Sequence, residues 1–201
     1  MPDTEFNDKQ LKYLADTDFL LEKSKITNQI IQLLAKTEAG LREAVEALDF
    51  RFPNQVLIKS GKISKGEQYL GLPYAVLDYP RCFISENTFA YRTMFWWGHF
   101  FSNTLHLDGQ MLALYRQSLV KNIDTIKSLD NLFVCVNETP WEYHYEPSNY
   151  LKTNTFSQPD LTELISNKPF LKFSFQYPID HWQELKRRTC DNLITLVELL
   201  R

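Results

Sequence analysis

The sequence predicts an α+β domain: a mainly antiparallel sheet of about five to six strands with long N-terminal, middle and C-terminal helices packed on it. Helical apolar spacing occupies both ends of the chain, and period-two alternation and turn residues dominate between them. Nowhere do strand and helix alternate in the regular βαβ order of a doubly wound sheet. With 201 residues and no low-complexity linker, the chain reads as one domain spanning 1–201. A domain of this size buries roughly 70% of the surface its unfolded chain exposes, so neither metal nor disulfide is required for folding.

Asn7 to Leu14 suits a short helix that packs through Leu11 and Leu14. Asp18 to Leu48 is helical, with one stripe of Ile26, Ile30, Leu33 and Leu34 and a second of Leu41, Ala44, Val45 and Leu48. Thr37 and Gly40 then mark a joint between two helices. Pro53 stops the region and pushes Phe52 toward extended geometry. Val56 to Ile58 and Lys59 to Gly66 read as a hairpin or loop, and Leu72 to Asp78 as a strand closed by a rigid Tyr79-Pro80-Arg81 turn. Phe89 to Trp97 and His99 to Leu107 are strands around Gly98, which is either a hairpin turn or a bulge, in an antiparallel meander.

Asp108 is placed to cap a helix reaching Ile126, with Leu112, Tyr115, Leu119, Ile123 and Ile126 on its apolar face. A strand follows at Leu132 to Val136, and Trp141 to Glu146 alternates as an edge strand would. Residues 147–158 are loop-like. A helix from Pro159 to Ser166, a strand from Phe170 to Tyr177 and a helix from Asp180 to Leu200 complete the chain, the last with Trp182, Leu185, Leu193, Leu196 and Leu200 on one face.

Lys and Arg total 22 against 25 Asp and Glu, a formal charge of −3, and the one local basic cluster is Lys59, Lys62 and Lys65. That balance offers nucleic acid no binding stripe. Cys82, Cys135 and Cys190 are odd in number and far apart, which fits neither a disulfide framework nor a zinc knuckle and points to a reducing compartment. The N-terminus lacks a signal-peptide pattern and no run of eighteen apolar residues occurs, so the expectation is a cytoplasmic protein that does not engage membranes.

The densest store of chemistry is Tyr79 to Asp108. Strand parity divides it about Gly98 into a row of Arg92, Met94 and Trp96 and a row of Ser102, Thr104, His106 and Asp108. Arg92 among aromatics stacks on a ring, pairs with a buried carboxylate such as Asp78 on a neighbouring strand, or holds an anion through its fork of donors. His106 is either a general base or proton shuttle oriented by Asp108, or part of a solvent face while Asp108 serves as helix cap. His99 beside Trp97 is either a ligand contact or a satisfied rim residue, and Arg81 is aimed by Pro80 either at a ligand or merely at the sheet edge. The candidate ligand-binding set is Arg81, Arg92, Trp97, His99 and His106, the ligand a small anionic molecule, with no cofactor named.

Other chemistries are poorly served. His99 and His106 lack a metal-ligand spacing, and His144 and His181 lie on other elements, so no metal is expected. No cysteine has an evident base, and Lys59 to Gly66 lacks the phosphate-loop order. Glu142, His144 and Glu146 would share a face of the edge strand. The competing reading is an interaction or homodimeric module without catalysis, built on exposed Trp141, Tyr143, Tyr145 and Tyr150. Whether the two rows about Gly98 face each other decides between a pocket and a plain sheet.

Overall fold

A computed structural model describes residues 5–84 and 86–201. Asn7 and Gln10 open the first helix, α1 (Asp8–Ala15), with a reciprocal capping box, and Asp16 caps the next, α2 (Thr17–Ala47), by accepting from the Phe19 amide at 2.9 Å. Strands β1 (Lys62–Tyr69), β2 (Leu72–Ile84), β3 (Asn87–Trp96) and β4 (Phe100–Asp108) form a meander. Helices α3 (Gly109–Lys121) and α4 (Ile123–Ser128), strands β5 (Leu132–Cys135) and β6 (Tyr150–Lys152), helix α5 (Gln158–Asn167), strand β7 (Phe170–Tyr177) and helix α6 (Leu185–Glu198) follow. The sheet runs β1-β2-β3-β4-β7-β5-β6 with antiparallel neighbours throughout, so the fold is α+β as expected, with seven strands rather than five or six among the described residues.

One sheet face carries the main core. Leu77, Phe89, Phe101, Leu105 and Phe173 from the strands meet Leu34 and Leu41 of α2, Leu112 and Leu119 of α3, Leu161 of α5 and Leu193 and Leu196 of α6. Among the described residues no helix packs on the opposite face. It is covered by the irregular segment 136–149, hereafter the strap, whose Tyr143 and Tyr145 pack onto Val76, Met94, Trp96 and Phe100.

Several expectations fail for identifiable reasons. α2 is continuous through Thr37 and Gly40: Thr37 returns its hydroxyl to the Leu33 carbonyl, and a β-carbon at Gly40 would lie 2.3 Å from Lys186 Cε. The glycine lets α6 approach and does not break the helix. α1 exists but does not pack through Leu11 and Leu14, which are 50% and 62% exposed. Of the hairpin and loop readings for Lys59 to Gly66, the hairpin holds from Lys62 onward, where the backbone pairs with Tyr74 to Asp78 as strand β1. Tyr79-Pro80-Arg81 is no terminus: β2 continues to Ile84 with a register shift between Asp78 and Arg81.

The helix expected from Asp108 to Ile126 is divided at Asn122, whose side chain donates to the Leu199 carbonyl. Residues 147–158 contain β6, since Cys135 to Phe133 supply an edge for them to pair with. The C-terminal helix begins at Leu185, after a 3-10 turn over Ile179–Glu184, which leaves Trp182 51% exposed and off the apolar face. Trp141 to Glu146 is not a strand: its polar backbone groups are taken by side chains. The Tyr69 hydroxyl accepts from the Tyr143 and His144 amides, and Lys172 donates to the Pro140 and Glu142 carbonyls.

Candidate functional site

Gly98 is a hairpin turn, with φ +72°, a conformation glycine adopts without β-carbon strain, and His99 N donates to the Trp96 carbonyl. The turn fixes the register of β3 and β4, and with it the relation between the two rows. Arg92 lies directly opposite Thr104, Met94 opposite Ser102, and Ala90 opposite His106. The rows therefore stand side by side on one face. β7 extends them, placing Lys172 opposite His106 and Ser174 opposite Thr104, while β2 places Asp78 opposite Arg92. The strap closes this face from above with Trp141 and Tyr143.

Between sheet and strap lies a cavity of about 10 Å³, lined by Phe83, Ala90, Arg92, Thr104, His106, Trp141, Tyr143 and Lys172. That volume is the room of one water molecule. Asp78 receives Arg92 in a fork, Nε to Oδ1 at 2.7 Å and Nη2 to Oδ2 at 2.8 Å, and Nη1 donates to the Tyr143 hydroxyl. Burial is the largest single influence and opposes the guanidinium charge, but the Asp78 hydrogen bond together with the Coulombic attraction of Tyr143, Asp78 and Tyr74 outweighs it, and Arg92 is held charged.

Lys172 is 1% exposed and forms no ion pair among the described residues. Its ammonium donates to the carbonyls of Pro140 at 2.8 Å and Glu142 at 2.6 Å and sits 4.4 Å from the centroid of the Tyr143 ring. Burial lowers its pKa to about 8; the Arg92 charge adds to the lowering, against Cys135 and Glu142. His106 is 6% exposed, between the rings of Trp141 and Phe170, and its Nε2 has no hydrogen-bond partner. Burial first, then the charges of Lys172 and Arg92, push its pKa down to about 3, so the imidazole is neutral at physiological pH.

The predicted set divides. Arg92 and His106 line the same chamber. Arg81 shares their face by its register with Ala90, but it does not line the cavity, and its buried Nε lacks a hydrogen bond. Trp97 packs against the main core on the other face. His99 stacks on Trp96 at 3.6 Å and belongs to a separate open groove, bordered by Phe100, Glu142, His144 and Glu146 on the far side of the strap. From residue 99 to residue 106 a strand covers roughly 23 Å, too far for one small ligand. Asp108 does not orient His106; it caps α3 through the Gly109 amide at 2.6 Å. The Asp78 pairing of Arg92 is present.

Lys172, Tyr143 and Trp141 complete the chamber and were not in the predicted set. Lys172 had a signal: in the strand Phe170 to Tyr177 it shares parity with Ser174 and Gln176, the polar row of an otherwise aromatic strand. The exposed patch proposed for Trp141, Tyr143, Tyr145 and Tyr150 does not form. Only Trp141 is exposed; Tyr143 and Tyr145 lie half-buried against the sheet, and Tyr150 is buried. Among the described residues no three His, Cys, Asp or Glu side chains gather as a metal site, and no helix is long and apolar enough to cross a membrane. No family model and no curated protein matches the chain.

Proposed function

We propose that the protein binds a small anion between Arg92 and Lys172, beneath the strap, with His106 as a neutral hydrogen-bonding partner. The observation that carries this reading is the charge count of the chamber. Two buried cations face one contacting carboxylate, Asp78, and a buried imidazole nitrogen beside them is unsatisfied. A buried ammonium without a counter-ion is costly. A carboxylate or small inorganic oxyanion would neutralise the excess charge and give His106 Nε2 a partner.

The closed cavity admits nothing larger than a water, so binding is coupled to lifting the strap around Pro140 to Tyr143. The strap suits that motion because side chains, and not a strand ladder, hold its backbone. Three free thiols, two of them buried, suit a reducing, cytoplasmic setting. The test is a thermal-shift screen of small inorganic oxyanions and short carboxylates against the wild type, Lys172→Met and His106→Leu. At least one anion should raise the wild-type melting temperature, with the shift lost in Lys172→Met and reduced in His106→Leu, while circular dichroism stays unchanged. A shift of equal size in Lys172→Met, or none in the wild type, would remove the chamber as the site.

A further inference from the structure

Lys172 is the only buried lysine among the described residues. β7 brings it into the chamber at the rung of His106, and the register of β5 on β7 sets Cys135 on its other side. Its ammonium donates to the strap carbonyls of Pro140 and Glu142, the element that has to move for anything to enter. A desolvated lysine next to a second cation, here Arg92, is the environment in which the amine becomes a nucleophile.

We propose that Lys172 forms an imine with the carbonyl carbon of a short 2-oxo acid whose carboxylate is held by Arg92. This rests on the anion site proposed above and names its substrate class. Asp78 and Tyr143 take one N–H each from Nε, Nη1 and Nη2 of Arg92, so a second N–H on Nη1 and on Nη2 remains for a carboxylate. Arg92 and Lys172 lie on strands separated by β4, and their side chains converge on the same cavity of about 10 Å³. So tight a space favours an acid whose carboxylate and carbonyl are adjacent.

The step balances without an oxidant or a cofactor. With the strap open, Nζ leaves the Pro140 and Glu142 carbonyls and gives its extra proton to solvent. Its lone pair then forms the C–N bond as the carbonyl π pair moves to oxygen; both remaining amine hydrogens depart with that oxygen as water, and the C=N bond forms. His106 Nε2, which has no partner, is placed to hydrogen-bond the hydroxyl of the intermediate. Closing the strap excludes water and protects the imine from hydrolysis.

Facing Nζ are His106 from β4, Arg92 with its Asp78 partner from β3 and β2, Cys135 from β5, Tyr150 from β6, and Glu142 and Tyr143 from the strap. Burial pushes the Cys135 thiol and the Tyr143 and Tyr150 hydroxyls up, Arg92 is held charged, and His106 is neutral. Lys172, lowered to about 8 chiefly by burial, is the amine whose charge changes between pH 7 and pH 9. At pH 8 about half of it is free amine, against under about 1% of an ordinary lysine.

The test incubates the full chain with pyruvate between pH 7 and pH 9, reduces it with sodium borohydride, and reads the product by intact mass and peptide mapping. The wild type should gain a single carboxyethyl group on Lys172, with about tenfold more at pH 9 than at pH 7. Lys172→Arg keeps the charge but cannot form the imine. It should lose the adduct and retain the thermal shift given by lactate, which carries a hydroxyl where pyruvate has its carbonyl. A wild type stabilised by lactate that yields no adduct with pyruvate overturns the imine and leaves the anion site standing; neither adduct nor shift removes both. Adducts spread over exposed lysines, or equal in Lys172→Arg, overturn the inference as well, and wild-type peptide mapping decides even where the variant does not fold.

Discussion

On the helix-covered face of the sheet the buried polar groups are neutral and paired. The Asn103 amide donates to the hydroxyls of Thr93 and Thr189, and the Tyr91 hydroxyl donates to the Thr189 carbonyl at 2.7 Å, tying α6 to the strands. On the strap-covered face neutral pairs such as Thr104 and Ser174 are joined by buried charges: Arg92 is matched by Asp78, Lys172 is held by carbonyls and ring faces, and the neutral His106 is left one bond short. A satisfied neutral network fixes a core, whereas a buried charge without a counter-ion raises the energy of the unliganded state. The same strands therefore build a neutral, satisfied side and a side with the excess buried charge on which the proposed anion site rests.

That contrast can be broken by substitution. The largest effect is expected at the ion pair: Asp78→Ala leaves a buried guanidinium unmatched and should cost about 3–5 kcal/mol, while Asp78→Leu with Arg92→Met should recover most of it. Urea denaturation of the single and double variants measures both. On the neutral side, Leu112→Ala removes a fully buried side chain and should cost about 2–5 kcal/mol, with no change in anion response.

The third effect is a pH dependence. The native His106 pKa of about 3 lies below its ordinary 6.5, so between those values the unfolded chain binds more protons than the native one. Stability from this residue therefore rises with pH from about 3 to 6.5 and is complete above that window. His106→Leu should flatten the loss of stability between pH 6.5 and 4 in parallel denaturation curves; an unchanged slope would mean that the imidazole titrates normally. The smallest stability effect is expected at Trp141, which is 57% exposed: Trp141→Ala should change stability by under about 1 kcal/mol yet speed anion exchange by opening the strap, read by stopped-flow fluorescence.

The meander was legible because two aromatic- and β-branched-rich runs flank Gly98, and β7 was readable to the residue at both ends. The strap was not. Trp141 to Glu146 alternates as a strand does, and only the tertiary demand of Lys172 and Tyr69 for its backbone groups shows that no ladder forms. For the same reason half the chamber escaped the sequence: parity places Arg92 and His106 in two rows, the hairpin register sets those rows side by side, and which strand supplies their third neighbour depends on β7 inserting between β4 and β5. His99 does not join Arg92 and His106 in the chamber, because closeness along the chain says nothing about the length of strand that separates two residues.

In the proposed site Lys172 supplies positive charge to the bound anion. Its pKa of about 8, below the ordinary 10.5, means that the unliganded chamber loses one positive charge as pH rises through 8. Calorimetric titration of the best anion from the screen at pH 7 and pH 9 reads this directly. Affinity should fall by about tenfold at the higher pH in the wild type, with proton uptake on binding at pH 9, and Lys172→Met should show weak binding that no longer changes across the interval. Affinity that is equal at both pH values in the wild type, or a pH-dependent loss that persists in Lys172→Met, would exclude Lys172 as the source of that charge.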